Sequence, residues 1–259
     1  MVSKQNSTTL HRLQATILTP PTKRIPDEIL EIAKKASTAT ISFVLFRQNF
    51  RFIYMAGVQP LRPGTVMAGR AYTLRYLPRR EDYSQLMGED RRNYAEHIAI
   101  ESIGPGEVLV VDARGNTDAG IFGDLLTSRI KYRGAAGVVT DGAVRDTPYL
   151  KSMDFPFFVR GAHGYGHIAE HWASDVQLPI ACGNVTVCPG DLVVGDDDGV
   201  VVCPQAIAEE VVKEAMSTEE HEMFVRELIT NQGVSVNDYH PLTPEMQAQF
   251  EKWRKTHKL

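Results

Sequence analysis

The sequence predicts an α/β fold organised around a parallel strand–helix–strand unit. Residues 107–113, EVLVVDA, form an apolar run of buried-strand length, and residues 135–142, AAGVVTDG, form a second. Between them lie a Gly-rich loop, RGNTDAGIFG, and DLLTSRIKYR, which has helical spacing and stops at Gly134. A crossover of this kind within one sheet makes the two strands parallel.

The other elements follow in chain order. Residues 1–24 are polar and Pro-terminated and read as an N-terminal arm. Ile25-Pro26-Asp27 opens a helix, with Ile29, Ile32, Ala33 and Ala36 on one face. GRAYTLRY, residues 69–76, alternates as a strand does. Residues 78–94 interleave acids and bases and read as a solvated insert. A helix is predicted around 95–103, a short helix over TPYLKSM, a strand at FPFFVRG and a hairpin at VVGDDDGVVVCP. From AIAEEVVKEAM onward the chain reads as amphipathic helix. The organisation expected is an arm (1–24), a catalytic domain (25–215) and a helical C-terminal extension (216–259).

Composition limits the function classes. With 259 residues and 43% hydrophobic content the chain can bury a full core. Lys plus Arg number 28 against 32 for Asp plus Glu, so the net charge of −4 gives no bulk attraction for nucleic acid or anionic lipid. No apolar run reaches membrane-spanning length, and the first residues carry no signal-peptide core. Cys182, Cys188 and Cys203 are odd in number and lack CxxC spacing, which points to thiols in a reducing, cytoplasmic setting.

The parallel crossover brings two loops to one sheet edge. Asp124 opens the helix after the first strand, while Arg145 and Asp146 follow the second. With strands about 5 Å apart these side chains converge on one crevice, where open α/β sheets bind ligands. The N–H groups of Leu125 and Leu126, at a helix start, can hold a carboxylate there. Each residue also has a plainer reading: Asp124 and Asp146 as helix caps, Arg145 as a surface ion-pair partner, and Asp141-Gly142 as a turn. The functional reading rests on their coincidence at one edge.

That combination resembles a known family. Asp124, twenty residues, then Arg145-Asp146 is similar to the D-x20-R-D signature of the class II pyruvate aldolases that cleave 4-hydroxy-4-methyl-2-oxoglutarate and 4-carboxy-4-hydroxy-2-oxoadipate. These share a fold with the regulator of ribonuclease activity A. GDLL, GAAGVVTDGAVRD and VCPGDLVVGDDDGVVVCP extend the likeness, which runs from about Ala36 to Val212. The arm, the insert at 78–94 and the C-terminal tail depart from the family pattern.

The resemblance implies a layered β/β/α, swivelling-domain-like core assembled as a homotrimer or homohexamer. It implies that Asp146 is the one direct ligand of Mg²⁺ or Mn²⁺, an ion that keeps several waters. Arg145 would bind a small 2-oxo acid and stabilise its enolate oxygen. Asp124, through a water, would be the acid/base at the leaving carbonyl. Gly123, Leu125 and Leu126 would form the stretch that holds the pyruvate carboxylate. The implied activity is metal-dependent cleavage of a 4-hydroxy-2-oxo acid to pyruvate, with oxaloacetate decarboxylation alongside.

Other signals are weaker. His163, His167 and His171 recur every fourth residue, but Gly164 and Gly166 oppose a firm helix there and no second ligand segment pairs with them. Asp196, Asp197 and Asp198 lack the rest of a calcium loop, and Gly120-x-x-Gly123 lacks the rest of a dinucleotide fingerprint. Three rival functions stand: a non-catalytic regulator of the same fold, a dehydratase or hydrolase of sugar-derived 2-oxo acids on the same site, and a Schiff-base aldolase using Lys131 or Lys151.

Overall fold

The computed structural model describes residues 23–82, 92, 94–235, 237–238 and 242–257. The arm through residue 22 and the insert at 83–91 and 93 therefore lie outside the described residues.

Two short helices come first, α1 (Asp27–Ala33) and α2 (Thr38–Arg47), the second capped by Ser37, whose side chain accepts from the Thr40 N–H. Then follow β1 (Gln59–Pro60), β2 (Met67–Pro78), α3 (Ala95–Ser102), β3 (Glu107–Asp112), α4 (Asp124–Tyr132), β4 (Gly137–Val144), α5 (Thr147–Ser152) and β5 (Phe157–Ala162). The second half holds β6 (His171–Val176), β7 (Ile180–Cys182), β8 (Val185–Val187), β9 (Leu192–Asp196), β10 (Gly199–Cys203), α6 (Ala208–Gln232) and α7 (Pro244–Trp253).

The main sheet runs β1-β5-β4-β3-β2-β9-β10, and β6 also pairs with β2. Its centre, β2-β3-β4-β5, is parallel, as the crossover predicts. One edge of β2 serves two partners: Met67–Arg70 pairs with β9 and Leu74–Pro78 with β6, with a register shift between Arg75 and Tyr76. The sheet nearly closes on itself. Met55 donates its N–H to the Val200 carbonyl and Val202 to that of Ile53, so the chain entering β1 lies along β10 at the opposite end of the strand order.

Period-two side chains explain the layering. Leu109 and Val111 of β3 face a core shared with Ala99, Ile100 and Ile103 near α3 and Ile130 of α4. Val108 and Val110 face the opposite core, with Val139, Phe158 and the β7–β8 ribbon. β4 is buried along its whole length, as expected of a parallel strand covered on both faces. This is the mixed α/β, layered architecture anticipated from the sequence.

A third core joins α1, α2 and the start of α6 to β9 and β10. The edge drawn at 215/216 falls inside α6, whose 25 residues run unbroken to a left-handed Gly233. Ala208, Val211, Val212 and Ala215 pack on that third core, whereas Phe224, Val225 and Leu228 pack on Phe250 of α7. Among the described residues no helix is long and apolar enough to cross a membrane.

Two local readings need correction, and a third is met. Asp141 is not in a turn: it lies within β4, buried, and accepts from the N–H groups of Ala113, Gly115 and Gly183. As Gly164 and Gly166 lead one to expect, His163, His167 and His171 share no helix face: the first follows β5, the second opens a short 3-10 turn (His167–Ala169) and the third begins β6. Ile29 and Ala33 do share the buried face of α1, but Ala36 lies beyond its end.

Candidate active site

The ends of β3 and β4 build the site. After β3 the chain returns beside the end of β4: Ile121 donates its N–H to the Ala143 carbonyl at 2.9 Å, and Arg145 donates to Phe122 at 2.9 Å. Gly120 donates to Tyr165 at 2.7 Å on its other side. Residues 120–122 thus form an extra strand-like layer that delivers Asp124 to the Arg145–Asp146 corner.

Glycines permit this approach. A Cβ on Gly120 would lie 2.8 Å from the His163 carbonyl and 2.9 Å from Arg145 Cβ. One on Gly123 would overlap Oδ2 of Asp146 and come within 2.9 Å of Arg145 Nε. The sequence spends its glycines on backbone proximity rather than on a nucleotide loop.

Asp146 is left-handed, at φ 56°, a conformation uncommon for a residue with a side chain and best tolerated by Asp and Asn. Its side chain does not cap α5. Its Oδ2 instead accepts from the Asp124 N–H at 3.3 Å and lies 3.4 Å from Arg145 Nε. Asp124 is the first residue of α4, behind Gly123 as N-cap, and its Oδ1 accepts from the Leu125 N–H at 2.7 Å. The plain capping role is therefore unrealised for Asp146 and partly realised for Asp124.

A hollow of 260 Å³ opens at this corner and is lined by Gly123, Asp124, Leu125, Leu126 and Arg145. Asp146 does not line it but abuts it through Asp124 and Arg145. The far wall was not read from the sequence. It comes from Glu96 and His97 of α3 and from His167 and Ile168. Glu96 is buried, and its Oε2 lies 3.3 Å from His167 Nε2. Tyr76 lies behind, its ring 6.1 Å from that of His167; burial first, then the Glu96 charge, pushes its phenol well above the usual range. Among the described residues no lysine lines the hollow, and Lys131 faces a separate depression with Tyr132 and Tyr149.

The donor set fits one kind of cation. Among the described residues no three His, Cys, Asp or Glu groups cluster as a metal cage. A half-exposed carboxylate, fixed by a main-chain N–H beside a small hollow, suits a hard ion that keeps its waters and takes further oxygens from a substrate. Asp196 is otherwise engaged, accepting from the Thr38 N–H and hydroxyl, and Asp197 accepts from the Gly64 N–H.

Residues 33–202 match the RraA-like family, described as Aldolase/RraA. The chain belongs to that family. It is 35% identical over 147 residues to a protein of Halalkalibacterium halodurans named "Putative 4-hydroxy-4-methyl-2-oxoglutarate aldolase", a match covering 57% of this chain and 70% of that one. It is 31% identical over 163 residues to protein DlpA of Legionella pneumophila, covering 63% of this chain but 25% of that longer protein. Among solved structures, Streptomyces coelicolor RraAS2, titled an unusual member of the RNase ES inhibitor RraA family, superposes with a TM-score of 0.71. That pair is 35% identical, covering 80% of this chain and 99% of the other. The RraA-like members thus include both aldolase-named and inhibitor-named proteins.

Proposed function

We propose that this RraA-like protein is a divalent-metal-dependent lyase that cleaves a 4-hydroxy-2-oxo acid to pyruvate and a carbonyl product, and decarboxylates oxaloacetate at the same site. The observation that carries the reading is that Asp124 and Arg145 line one small hollow and that Asp146 touches both of them beside it.

Asp146 would hold Mg²⁺ or Mn²⁺, which when bound supplies Lewis-acid polarisation of the 2-keto group. Arg145 presents a permanently charged fork where negative charge develops on the keto oxygen. The N–H groups of Leu125 and Leu126, in the first turn of α4, receive the substrate carboxylate, that of Leu125 exchanging its present bond to Asp124 Oδ1. The exchange frees the Asp124 carboxylate to accept the C4 hydroxyl proton through a water. As that proton leaves, the C3–C4 electron pair moves toward C2 and the C4 carbonyl forms.

The family likeness also supports assembly as a homotrimer or homohexamer. Leu125, which lines the hollow, and Tyr132 and Tyr149, which line the separate depression, are exposed apolar side chains that an adjoining copy would cover.

Pyruvate release from a panel of 4-hydroxy-2-oxo acids and from oxaloacetate tests the reading. Release that depends on Arg145 and Asp124 supports it. The likeness to RraAS2 favours a second reading, a non-catalytic regulator; absence of pyruvate from every substrate together with tight binding to a ribonuclease would establish that one instead.

A further inference from the structure

The hollow contains a titratable pair that the chemistry above leaves unused. Glu96, on the first turn of α3, is 2% exposed. Its Oε2 meets His167 Nε2 at 3.3 Å, and the imidazole, 24% exposed, borders the same hollow as Asp124 and Arg145. A buried carboxylate against one ring nitrogen fixes the orientation of the ring. The residue just before His167, Gly166, packs beside the guanidinium. It faces Arg145 Nη1 at contact distance (3.5 Å from an added Cβ), and Tyr165 is pinned by the Gly120 N–H.

Every element around His167 contributes to its electrostatics. Glu96 and His97 come from α3, Tyr76 from β2, and Arg79, just past β2, donates to the Ile168 carbonyl. Glu170 follows on its own segment, and Asp124 and Arg145 share the hollow. The pair is thus placed for proton transfer rather than only for packing.

We propose that His167, oriented by Glu96, delivers the proton that converts the enolate to pyruvate at C3. The assignment rests on the lyase reading above. Cleavage leaves the electron pair of the broken C3–C4 bond in the enolate, and one proton must reach C3. The His167 N–H bond breaks, the enolate π pair forms the C3–H bond, and the C2 carbonyl is restored. The neutral imidazole regains a proton from solvent, balancing the C4 hydroxyl proton given up through Asp124. Decarboxylation of oxaloacetate breaks a different bond but ends in the same protonation, so both reactions need His167.

The reverse transfer gives the test, because enolising pyruvate in D₂O replaces its methyl protons with deuterium. Exchange is followed by proton NMR with Mg²⁺ present, and oxalate, shaped like the enolate, serves as a separate binding probe. We expect His167→Asn to slow exchange by about 100-fold or more, with oxalate affinity within about threefold of wild type. Removing its charge by Glu96→Gln should lower the pH midpoint of the His167 imidazole and move the rising exchange profile to lower pH, since the neutral base then forms earlier. If His167→Asn fails to fold with the Glu96 charge unpartnered, the Glu96→Gln profile and the double variant decide the matter. Exchange at the wild-type rate in a folded His167 variant, or a profile unmoved by Glu96→Gln, overturns the assignment alone. A wild-type protein that binds oxalate yet exchanges nothing overturns the lyase reading and this assignment with it.

Discussion

The main-chain N–H of Asp124 donates to Oδ2 of Asp146 at 3.3 Å, across 22 positions of sequence. That bond joins the start of α4 to the end of β4, and a side chain on Gly123 would occupy its space. We predict that Gly123→Ala leaves the fold intact and lowers kcat/KM for pyruvate release by about 100-fold, the scale of a misplacement of about 1 Å. Circular dichroism and steady-state kinetics on one preparation check both halves.

Arg145 offers a second test, because its value lies in shape as well as charge. Arg145→Lys keeps the cation but loses the planar fork, so we expect kcat to fall by about 100-fold or more while the protein stays folded. A kcat within threefold of wild type would show that a point charge suffices.

Asp141 gives the contrasting case, a carboxylate whose work is structural. It accepts three main-chain N–H groups, from Ala113, Gly115 and Gly183. Asp141→Ala strands these buried donors, and we predict a loss of about 3 kcal/mol or more in urea denaturation.

His171 sets a pH dependence of stability. Burial, then the charge of Arg114, lowers its pKa to about 4, and Arg114 Nη2 lies 3.2 Å from its Nδ1. The unfolded imidazole titrates near 6.5, so the unfolded state binds the extra proton first. Stability from this group is therefore complete above about pH 6.5 and is lost as pH falls toward 4, by up to about 3 kcal/mol. Denaturation midpoints measured from pH 7 to 4 should fall more steeply in wild type than in His171→Gln.

The sequence made the β3-α4-β4-α5 segment legible because its strands are continuous apolar runs punctuated by glycine, and helix starts are local signals. Asp124, Arg145 and Asp146 were legible for the same reason, since a parallel crossover fixes where its two loops emerge. Glu96 and His167 were not. They meet only through the packing of α3 against β2 and β6, and nothing in AEHIAIES marks its glutamate as buried. Gly164 and Gly166 did mark the four-residue histidine spacing as no helix face, and the segment turns through a short 3-10 helix into β6. Asp141-Gly142 reads as a turn because that pair favours turns; three N–H groups from two segments distant in sequence, 113–115 and 183, override the local preference. The near-closure of the sheet by residues 53–55 against β10 left no periodic trace at all.

The most direct test of the central claim is pyruvate release by wild type and Asp146→Ala, each with Mg²⁺ and with EDTA, paired with Mn²⁺ binding followed by electron paramagnetic resonance. The account predicts that wild type binds Mn²⁺ and turns over only with metal present, and that Asp146→Ala, still folded, loses both. Turnover that survives the chelator, or an Asp146→Ala protein that binds Mn²⁺ as wild type does, would contradict it.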